Sequence, residues 1–445
     1  MIFFLKILRL HNSSSHMAWA SLSDEEGGIV NITKPILEKS YPLEKFLKSH
    51  SEDTIITFDG EYLLGRYSHI LNPVSVIGID ILFYLTEMQK FSIGNFMYRF
   101  GNCGIGSDGF LDHRSLNPQD IIDNDSVTKY LNLYCQLTQR FLKENQDFID
   151  NVLSDTRLRD FYIRIQPQIC ENVYRFNSTR IEFDTSSKST AKLMKEHEDY
   201  IVKIKRHGNH IYPNYYALSV VTGRLGFFGE LNPMVLPKEI RSLIVPLNDS
   251  IVSFDAQNAE PRMVFELSDT PIEHDDVYKW IVQMMAEDSI DREKAKSMWF
   301  NFVYGNSNMK QSSHIRKMAS VFPDIASFIN KLVEKTLRGS MMYSYFGRRL
   351  PKFSGEEHKI VNYYIQSTFS DFFQLVINRM FKKMESASMK SKILCTIQDE
   401  FLLDLSIQEA GDVMEIVNDS VKEISDEFGF SEDVILFDPS ILKTI

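Results

Sequence analysis

Three acidic residues lie where apolar stretches of the chain end, and their placement suits the chemistry of phosphoryl transfer. Residues 393–405, ILCTIQDEFLLDL, have two apolar runs around Gln398, Asp399 and Glu400, which predicts a tight hairpin with adjacent carboxylates at its tip. Asp255 follows another apolar run, residues 251–254. Adjacent carboxylates repel each other, and a divalent cation removes that repulsion. Carboxylates on neighbouring strands could therefore hold two Mg²⁺ ions for an in-line displacement at phosphorus.

Each of these positions also has an ordinary structural explanation. Acidic residues suit a solvated hairpin tip, and an aspartate at the end of a strand can cap the helix that follows. A helix is expected to begin near Glu260, so Asp255 fits the second explanation. The carboxylates alone therefore do not identify a catalytic site.

A second set of residues could bind a nucleotide. Residues 291–307, DREKAKSMWFNFVYGNS, place Arg292, Lys296, Phe300 and Tyr304 four positions apart in succession. Four residues advance an α-helix by about 400°, so these side chains drift across only about 120° of its surface. Cations at one end of this face could bind a triphosphate, and aromatic rings at the other could stack on a base. An amphipathic helix with solvated cations has the same spacing. The residues expected to pack inward are Ala295, Met298, Phe302 and Val303.

The elements that hold these residues follow from hydrophobic patterning. Strands that carry carboxylates, interrupted by a long helical insertion, are typical of a palm sheet with fingers inserted into it. The predicted elements are strands at 251–254, on both sides of the turn in 393–405 and at 434–437, with helices within 276–335 and at 407–427.

The N-terminal part of the chain is less informative. Residues 18–125 mix short apolar runs with turn signals and are expected to be mixed α/β. Residues 127–153 and 188–206 have helical periodicity, which fits either a mobile thumb-like lobe or ordinary surface helices. Residues 1–17 are expected to lie outside the fold, as a leader or a cloning remnant, because SSSHM at 13–17 resembles a cloning junction. Their apolar stretch is too short for a good secretory signal and is interrupted by Lys6 and Arg9.

Composition limits the class of protein. The chain has 445 residues, a net charge of -11 and 43% hydrophobic residues, which is enough for substantial cores and unlike a disordered chain. The acidic balance argues against a surface covered in basic patches, so a nucleic-acid interface would have to be a local basic cleft.

No stretch approaches the roughly 20 apolar residues of a membrane span. None of the cysteines stands at C-x-x-C spacing, which favours free thiols.

The spacing Arg-x3-Lys-x3-Phe-x3-Tyr-Gly in the predicted helix resembles motif B of the family A DNA polymerases, the group of the Klenow fragment and bacterial polymerase I. Residues 255–262 resemble motif A of that family, and residues 398–400 resemble motif C. The resemblance covers about residues 210–445. Further similar segments are HIYP at 210–213, TGRL at 222–225, GRRL at 347–350 and NYYIQSTFSD at 362–371.

The resemblance implies a template-directed DNA polymerase, of a phage or plasmid type without an active proofreading domain. The implied fold is a right hand of α/β (α+β) class, with an antiparallel palm sheet, helical fingers and thumb, and a small mixed N-terminal region. The implied divisions are 18–125 for that region, 126–210 for the thumb, 211–268 and 352–445 for the palm, and 269–351 for the fingers.

The implied chemistry adds dNTPs to a primer 3′ end with two Mg²⁺ ions, for which Mn²⁺ can substitute. Asp255 and Asp399 would bind the metals together with the backbone carbonyl of Ala256. Glu400 would lie beside them as a further catalytic carboxylate. Lys296 would stabilise charge on the leaving pyrophosphate.

The same resemblance assigns the nucleotide and DNA contacts. Arg292 and Lys296 would bind the triphosphate, and Phe300 would contact the sugar and base. Tyr304 would stack at the templating position, and Glu260 would be a steric gate that rejects a 2′-hydroxyl group. The implied primer–template contacts are Arg224, Arg262, Asn362, Gln366, Gln398 and His358.

Two of these residues depart from the family pattern. Gln398 stands where the family has histidine, and His358 stands where an arginine is expected before Asn362. Glutamine keeps hydrogen bonding but cannot titrate. These departures put fidelity or template preference in question rather than catalysis.

The implied partners are primer–template DNA and dNTPs, with no membrane and with any replication accessory proteins unidentified. The expected compartment is the cytoplasm of a bacterial or phage-infected cell, with an organelle left open.

A single-subunit RNA polymerase shares the palm motifs but is disfavoured by Glu260 and Phe300. A catalytically inactive DNA-binding homologue and a reverse transcriptase are further alternatives. Asp59-Gly60-Glu61 fits the D-x-E signature of a nuclease weakly, so no active exonuclease is expected.

Overall fold

The computed structural model describes residues 1–8, 19–24, 28–33, 41–88, 135, 138–139, 142–143, 145–186, 193, 196–227, 229–285, 290–305, 312–356 and 358–444. The chain divides into two compact units, Met1–Ser178 with Tyr215–Val220 and Thr179–Asn214 with Val221–Ile445. Both units combine helices with β-sheet, so the expected α+β class is confirmed. In the described ranges, no helix has the length and apolar character needed to cross a membrane.

A five-stranded sheet forms the core of the first unit. Its strands are β1 (Ile2–Leu8), β2 (Trp19–Ser23), β3 (Ile29–Thr33), β4 (Thr54–Thr57) and β5 (Val76–Gly78). They lie in the order β3-β2-β1-β4-β5. The pairs β1–β2 and β2–β3 are antiparallel, whereas the pairs β1–β4 and β4–β5 are parallel.

The central position of β1 corrects one expectation. The sequence predicts that residues 1–17 lie outside the fold, and this is wrong for Ile2–Leu8, which pairs with β2 on one side and β4 on the other. Phe3, Phe4, Leu5 and Ile7 are buried. An apolar run of this length suits a central strand that is covered on both faces. Residues 9–17 lie outside the described residues.

The helices of the first unit are α1 (Tyr41–Ser49), α2 (Gly60–Tyr67), α3 (Ile79–Glu87), α4 (Gln146–Ser154), α5 (Thr156–Asp160) and α6 (Gln166–Asn177), with a 3₁₀ turn at Pro73–Ser75 and a π-turn at Phe161–Ile165. Of the predicted helix 127–153, the structure describes mainly the end, as α4. Its first part lies outside the described residues.

The packing of α2 against α6 explains why the division between the units differs from the predicted one. The sequence predicts a boundary at residue 125 and a thumb at 126–210, whereas the first unit continues to Ser178. A Cβ atom at Gly65 would lie 2.5 Å from the carbonyl oxygen of Cys170, so the two helix backbones are in close contact there. The residues up to α6 therefore fold with the N-terminal sheet.

Buried carboxylates of the first unit bind backbone amides. Asp59 accepts a hydrogen bond of 3.0 Å from the amide of Ile7. Asp80 accepts hydrogen bonds of 2.9 and 3.1 Å from the amides of Gly60 and Glu61. These bonds fix the start of α2 against β1 and α3. The weak D-x-E pattern thus has a role in the fold, and the absence of an active exonuclease stays a prediction.

Short strands precede the main sheet of the second unit. They are β6 (Ile181–Glu182) and β7 (His210–Ile211), which pair with each other, followed by β8 (Tyr215–Tyr216) in the first unit and β9 (Gly226–Phe227) in the second.

The main sheet of the second unit is antiparallel throughout, as the palm prediction requires. Its strands are β10 (Ser250–Ala256), β11 (Lys392–Ile397), β12 (Glu400–Leu405) and β13 (Phe437–Thr444). They lie in the order β11-β12-β10-β13, so the predicted hairpin and the predicted strand at 251–254 are confirmed as neighbours. The strand expected at 434–437 is wrong in its position, because Val434 and Ile435 are buried in the turn before β13.

The helices of the second unit are α7 (Glu198–Arg206), α8 (Lys238–Arg241), α9 (Ala259–Leu267), α10 (Val277–Met285), α11 (Arg292–Tyr304), α12 (Ser313–Val321), α13 (Pro323–Leu337), α14 (Lys359–Ser386) and α15 (Ala410–Phe428), with 3₁₀ turns at Pro233–Val235 and Ile407–Glu409. The predicted helices within 276–335 and at 407–427 are confirmed. The predicted helix 188–206 is observed from Glu198, and most of its earlier part lies outside the described residues.

A cluster of buried aromatic side chains packs α10 and α11 against α9, the helix that follows β10. The ring of Phe265 on α9 stacks on Trp299 of α11 at 5.2 Å between centroids. Trp280 of α10 lies 5.1 Å from the same phenylalanine ring, and Phe322 packs edge-on at 5.5 Å. Because all four side chains are buried, they hold α10 and α11 in fixed positions relative to the helix that follows β10.

Candidate active site

Asp255 and Asp399 lie side by side at one end of the antiparallel sheet. The strand register sets Asp255 of β10 opposite Glu400 of β12. The amide of Ala256 donates a hydrogen bond of 3.0 Å to the carbonyl oxygen of Asp399. Strand pairing thus brings together two carboxylates that are far apart in the chain.

Two residues with positive φ angles shape the chain next to these carboxylates. Gln398 has a φ of 59° in the two-residue turn between β11 and β12, immediately before Asp399. Asn258 has a φ of 50° between the end of β10 and the start of α9. Left-handed backbone is costly for residues other than glycine, and such strain clusters at functional sites.

Electrostatic repulsion marks the end of the sheet. Burial, followed by the charges of Asp399 and Glu400, raises the pKa of Asp255 to about 6. Asp438 of β13, which the register sets opposite Asp255, acts in the same direction, and Arg241 opposes it. No sequence motif marks Asp438, which is an isolated aspartate after a short apolar run.

The pKa of Asp399 is also raised, mainly by burial. Its own backbone amide and the guanidinium of Arg224 lower the pKa, whereas Glu400 raises it. Both aspartates are therefore harder to ionise than ordinary aspartates, which is the situation that a bound divalent cation relieves.

The residues present fit a magnesium site that is shared with a substrate. In the described part of the chain, no three or more His, Cys, Asp or Glu side chains converge as a metal cage. Mg²⁺ commonly binds through one or two protein carboxylates and completes its shell with water and substrate phosphates. The Asp255–Asp399 pair meets that requirement.

Glu400 is held by partners that the sequence does not reveal. Arg241 donates from Nη1 to both carboxylate oxygens of Glu400, at 2.9 and 2.8 Å. The hydroxyl of Ser253 on the neighbouring strand also donates to this carboxylate. No motif in the sequence marks Arg241, because its partner lies 159 residues away.

Helix α11 presents the predicted face of cations and aromatic rings. Asp291 caps the helix by accepting a hydrogen bond of 2.8 Å from the amide of Lys294. Arg292 and Lys296 are exposed, and the ring of Phe300 is 36% exposed. The residues predicted to face inward, Ala295, Met298, Phe302 and Val303, are all buried.

The ring of Tyr278 on α10 lies close to both cations. Its centroid is 5.3 Å from Cζ of Arg292 and 6.0 Å from Nζ of Lys296. Asp276, just before α10, accepts a hydrogen bond of 2.9 Å from Nε of Arg292. No sequence motif marks Tyr278 or Asp276, because one ring and one acid ahead of a helix are not a recognisable pattern.

Glu260 joins α9 to α11 and to the loop that carries Arg224. Arg224 donates to one carboxylate oxygen at 3.1 Å, and the hydroxyl of Tyr304 donates to the other at 3.1 Å. The rings of Phe300 and Tyr304 lie 5.9 Å apart. The structure therefore places Glu260, Tyr304 and Arg224, which are predicted as the gate, the templating-position ring and a primer–template contact, in one network.

Gly223 allows the loop before Arg224 to pass Arg348. Its φ is +79°, and a Cβ atom there would lie 2.8 Å from the guanidinium of Arg348. Arg348 is itself buried and pairs with Asp371 of α14 at 2.6 Å. The similar segments TGRL and GRRL thus lie in contact, although they are more than a hundred residues apart in the chain.

One predicted primer–template contact is corrected. Arg262 is 1% exposed and donates to the backbone carbonyls of Asp433 and Asp275 at 3.0 and 2.8 Å. Burial lowers the pKa of Arg262. Its guanidinium holds the loop before α10 and the turn before β13, and a buried side chain with these partners is not available to DNA.

The other predicted DNA contacts are accessible. Gln398 is exposed at the tip of the hairpin. Asn362 and Gln366 are half-buried in the first two turns of α14, and His358 is half-buried where that helix begins. Their contact with DNA stays a prediction.

The antiparallel sheet with paired carboxylates, interrupted by helices with a cationic and aromatic face, defines a right-hand polymerase fold. The chain belongs to DNA polymerase family A, whose model matches residues 174–431. The matched residues include the carboxylate pair, α11 and the hairpin, so the expected family is confirmed.

Two bacterial relatives are similar to part of the chain. DNA polymerase I of Lactococcus lactis subsp. cremoris (strain MG1363) is 23% identical over an alignment of 221 residues, and the match covers 42% of this chain and 25% of that protein. DNA polymerase I of L. lactis subsp. lactis (strain IL1403) is 22% identical over the same share. The chain thus spans about a quarter of the length of these curated relatives.

A solved structure is similar over nearly the whole chain. It is the POL domain of Pol1 from M. smegmatis, in complex with DNA primer–template and dNTP. The TM-score is 0.69 at 13% identity, and the match covers 99% of this chain and 94% of that chain. At this identity the likeness shows the fold, which includes the N-terminal sheet as well as the family A region.

Proposed function

We propose that this protein is a template-directed DNA polymerase that adds dNTPs to the 3′ end of a primer. The observation that carries the proposal is the bond from the amide of Ala256 to the carbonyl of Asp399, which sets two carboxylates side by side. The bond between Tyr304 and Glu260 then connects the helix after β10 to the cationic face of α11. Membership in DNA polymerase family A supports the same reaction.

Asp255 and Asp399 would hold two Mg²⁺ ions, or Mn²⁺ in their place, together with the backbone carbonyl of Ala256. When bound, the ions lower the pKa of the attacking primer hydroxyl and stabilise charge at phosphorus. Lys296 would neutralise the triphosphate and the leaving pyrophosphate. Glu400, which Arg241 and Ser253 hold in place, would set the charge beside the two aspartates rather than act as a free ligand.

The nucleotide and DNA would be bound by the remaining predicted site residues. Arg292 would join Lys296 on the triphosphate, and the exposed ring of Phe300 would pack on the sugar and base. Glu260 would reject a 2′-hydroxyl, held in position by Arg224 and Tyr304. The proposed primer–template contacts are Arg224, Asn362, Gln366, Gln398 and His358.

The proposed partners are primer–template DNA and dNTPs. The similar M. smegmatis structure contains both, which supports this assignment. The bacterial relatives favour the cytoplasm of a bacterial or phage-infected cell as the compartment.

Primer extension on a defined template tests the proposed reaction. The wild-type protein should extend a 5′-labelled primer with dNTPs and Mg²⁺. Asp255→Asn and Asp399→Asn should each lower the rate at least about a thousandfold, because a metal ligand contributes several kcal/mol to the transition state. Asp412→Asn, which changes an exposed carboxylate at the start of α15, is the matched control and should extend at the wild-type rate.

The choice of sugar tests the class of polymerase. Glu260→Ala should raise the use of rNTPs relative to dNTPs, since the space for the 2′-hydroxyl opens. Tyr304→Phe removes only the hydroxyl that bonds to Glu260, so it separates the position of the gate from its bulk. A wild-type protein that prefers rNTPs would instead be an RNA polymerase of the same fold, and one that extends nothing would be a non-catalytic homologue.

A further inference from the structure

We propose that Tyr278 is a positioning residue whose ring orders Arg292 and Lys296 for binding the triphosphate of the incoming nucleotide. This inference deepens the proposed function and rests on it. It adds to the site a residue on α10 that contributes no charge of its own.

The geometry around Tyr278 supports this role. Arg292 and Lys296 lie one helical turn apart on α11, and the same ring lies 5.3 and 6.0 Å from their charged groups. A cation within about 6 Å of an aromatic centroid is attracted to the ring. One ring therefore contacts both groups that would bind phosphate.

Burial makes Tyr278 a fixed platform. Its residue is 5% exposed, whereas the side chain of Arg292 is 42% exposed. Long cationic side chains lose substantial rotamer entropy when a ligand orders them. A ring that is already fixed by the core lowers this cost, because the cations are held near it before the nucleotide arrives.

The two cations differ in what else holds them. Asp276 accepts a hydrogen bond of 2.9 Å from Arg292 with one oxygen and caps α10 with the other, which binds the amides of Tyr278 and Lys279. Lys296 forms no ion pair with any residue in the described part of the chain. The ring should therefore matter more for Lys296 than for Arg292.

The phenol of Tyr278 stays neutral at physiological pH. Burial, followed by the charge of Glu260, raises the pKa of Tyr278 above its ordinary value. A phenolate at Tyr278 would repel the phosphates of the nucleotide. A raised pKa, which keeps the phenol neutral, is therefore what the proposed role requires.

The test compares variants that keep or remove the ring. Tyr278→Phe keeps the ring and should bind inorganic triphosphate, measured by isothermal titration calorimetry with Mg²⁺ present, within about threefold of wild type. Tyr278→Leu should bind about tenfold more weakly, and its KM for dNTP should rise with little change in kcat. Circular dichroism and thermal unfolding would verify that each variant is folded.

A double-mutant cycle shows whether the ring acts through Lys296. Lys296→Met should weaken triphosphate binding. In the double variant Lys296→Met with Tyr278→Leu, binding should be weakened by less than the product of the two single effects. Lys331→Met removes an exposed cation of a different helix, α13, and it should bind triphosphate like wild type.

The outcomes separate this inference from the proposed function. Equal triphosphate affinity in Tyr278→Leu and wild type would overturn the inference even if the protein extends primers. Equal weakening in the Phe and Leu variants would also overturn it, because the ring would then not be the cause. A wild-type protein that binds triphosphate with the expected variant pattern but extends no primer would refute the proposed function alone.

Discussion

Arg241 donates to both carboxylate oxygens of Glu400, at 2.9 and 2.8 Å, and the two side chains are only 16% and 14% exposed. An ion pair with this geometry and burial is stronger than an exposed one. It compensates a third negative charge directly beside Asp255 and Asp399. Arg241 also lowers the pKa of Asp255, so it acts on the metal-binding pair as well as on its own partner.

Removal of Arg241 is expected to damage catalysis through Glu400. In Arg241→Met the carboxylate of Glu400 loses its cation and adds repulsion beside the aspartates, so kcat for primer extension should fall about 10- to 100-fold. Glu400→Gln in the same background should recover part of this loss, because it removes the uncompensated charge. Single-turnover extension rates of the two single variants and the double variant measure the coupling. Additive losses would show that the ion pair does not position the site.

Gly223→Ala is expected to reduce both stability and DNA binding. The φ of +79° costs about 1–2 kcal/mol for a residue with a Cβ atom, and that atom would lie 2.8 Å from the guanidinium of Arg348. The displaced loop should weaken primer–template binding, since Arg224 is the next residue. Gly339→Ala is the matched control, because Gly339 has a φ of +72° but no atom within 4 Å of the added Cβ. It should lose stability from strain alone and bind DNA like wild type in fluorescence anisotropy.

The buried pair Arg348–Asp371 is expected to respond asymmetrically to single and double substitution. Its side chains are 2% and 0% exposed, so Arg348→Met leaves an uncompensated buried carboxylate and should cost about 3–5 kcal/mol in free energy of unfolding. Arg348→Met with Asp371→Leu should be less destabilising than Arg348→Met alone. Urea unfolding measures both. Lys422→Met, which breaks an exposed pair with Glu432, should leave the midpoint unchanged.

The stability of the first unit is expected to depend on pH through Asp80. Burial raises the pKa of Asp80 from 3.8 to about 7, so between these values the folded state keeps a proton that the unfolded state has released. The free energy of unfolding therefore decreases as pH rises from 3.8 to about 7. Asp80→Asn, whose side-chain carbonyl can still accept a hydrogen bond from the α2 amides, should remove this dependence and be more stable at pH 8, by up to about 4 kcal/mol.

Thermal unfolding of wild type and Asp80→Asn between pH 4 and 8 measures this difference. The two stability curves should converge at the acidic end and separate as pH rises. Asp147→Asn, an exposed aspartate on α4, should follow the wild-type curve. A variant that is less stable than wild type at pH 8 would contradict the assignment.

Local patterns in the sequence predicted the parts of the second unit whose residues are close together in the chain. The hairpin around Asp399 and the strand that carries Asp255 follow from apolar runs, because strand pairing buries them. The outward face from Arg292 to Tyr304 follows from helical spacing, and the same spacing predicts the buried face on the other side of the helix. These features depend on periodicity over a few residues, which a single sequence contains.

The tertiary structure decided which of those residues have partners and which are free. Only the folded chain shows that Arg241 holds Glu400, that the ring of Tyr278 lies beside two cations, and that Arg262 is buried on backbone carbonyls. The structure also shows that Ile2–Leu8, which the sequence predicts to be part of a leader, is a central strand of a sheet. Such contacts join residues that are far apart in sequence, and no local pattern encodes the distance or burial that determines their roles.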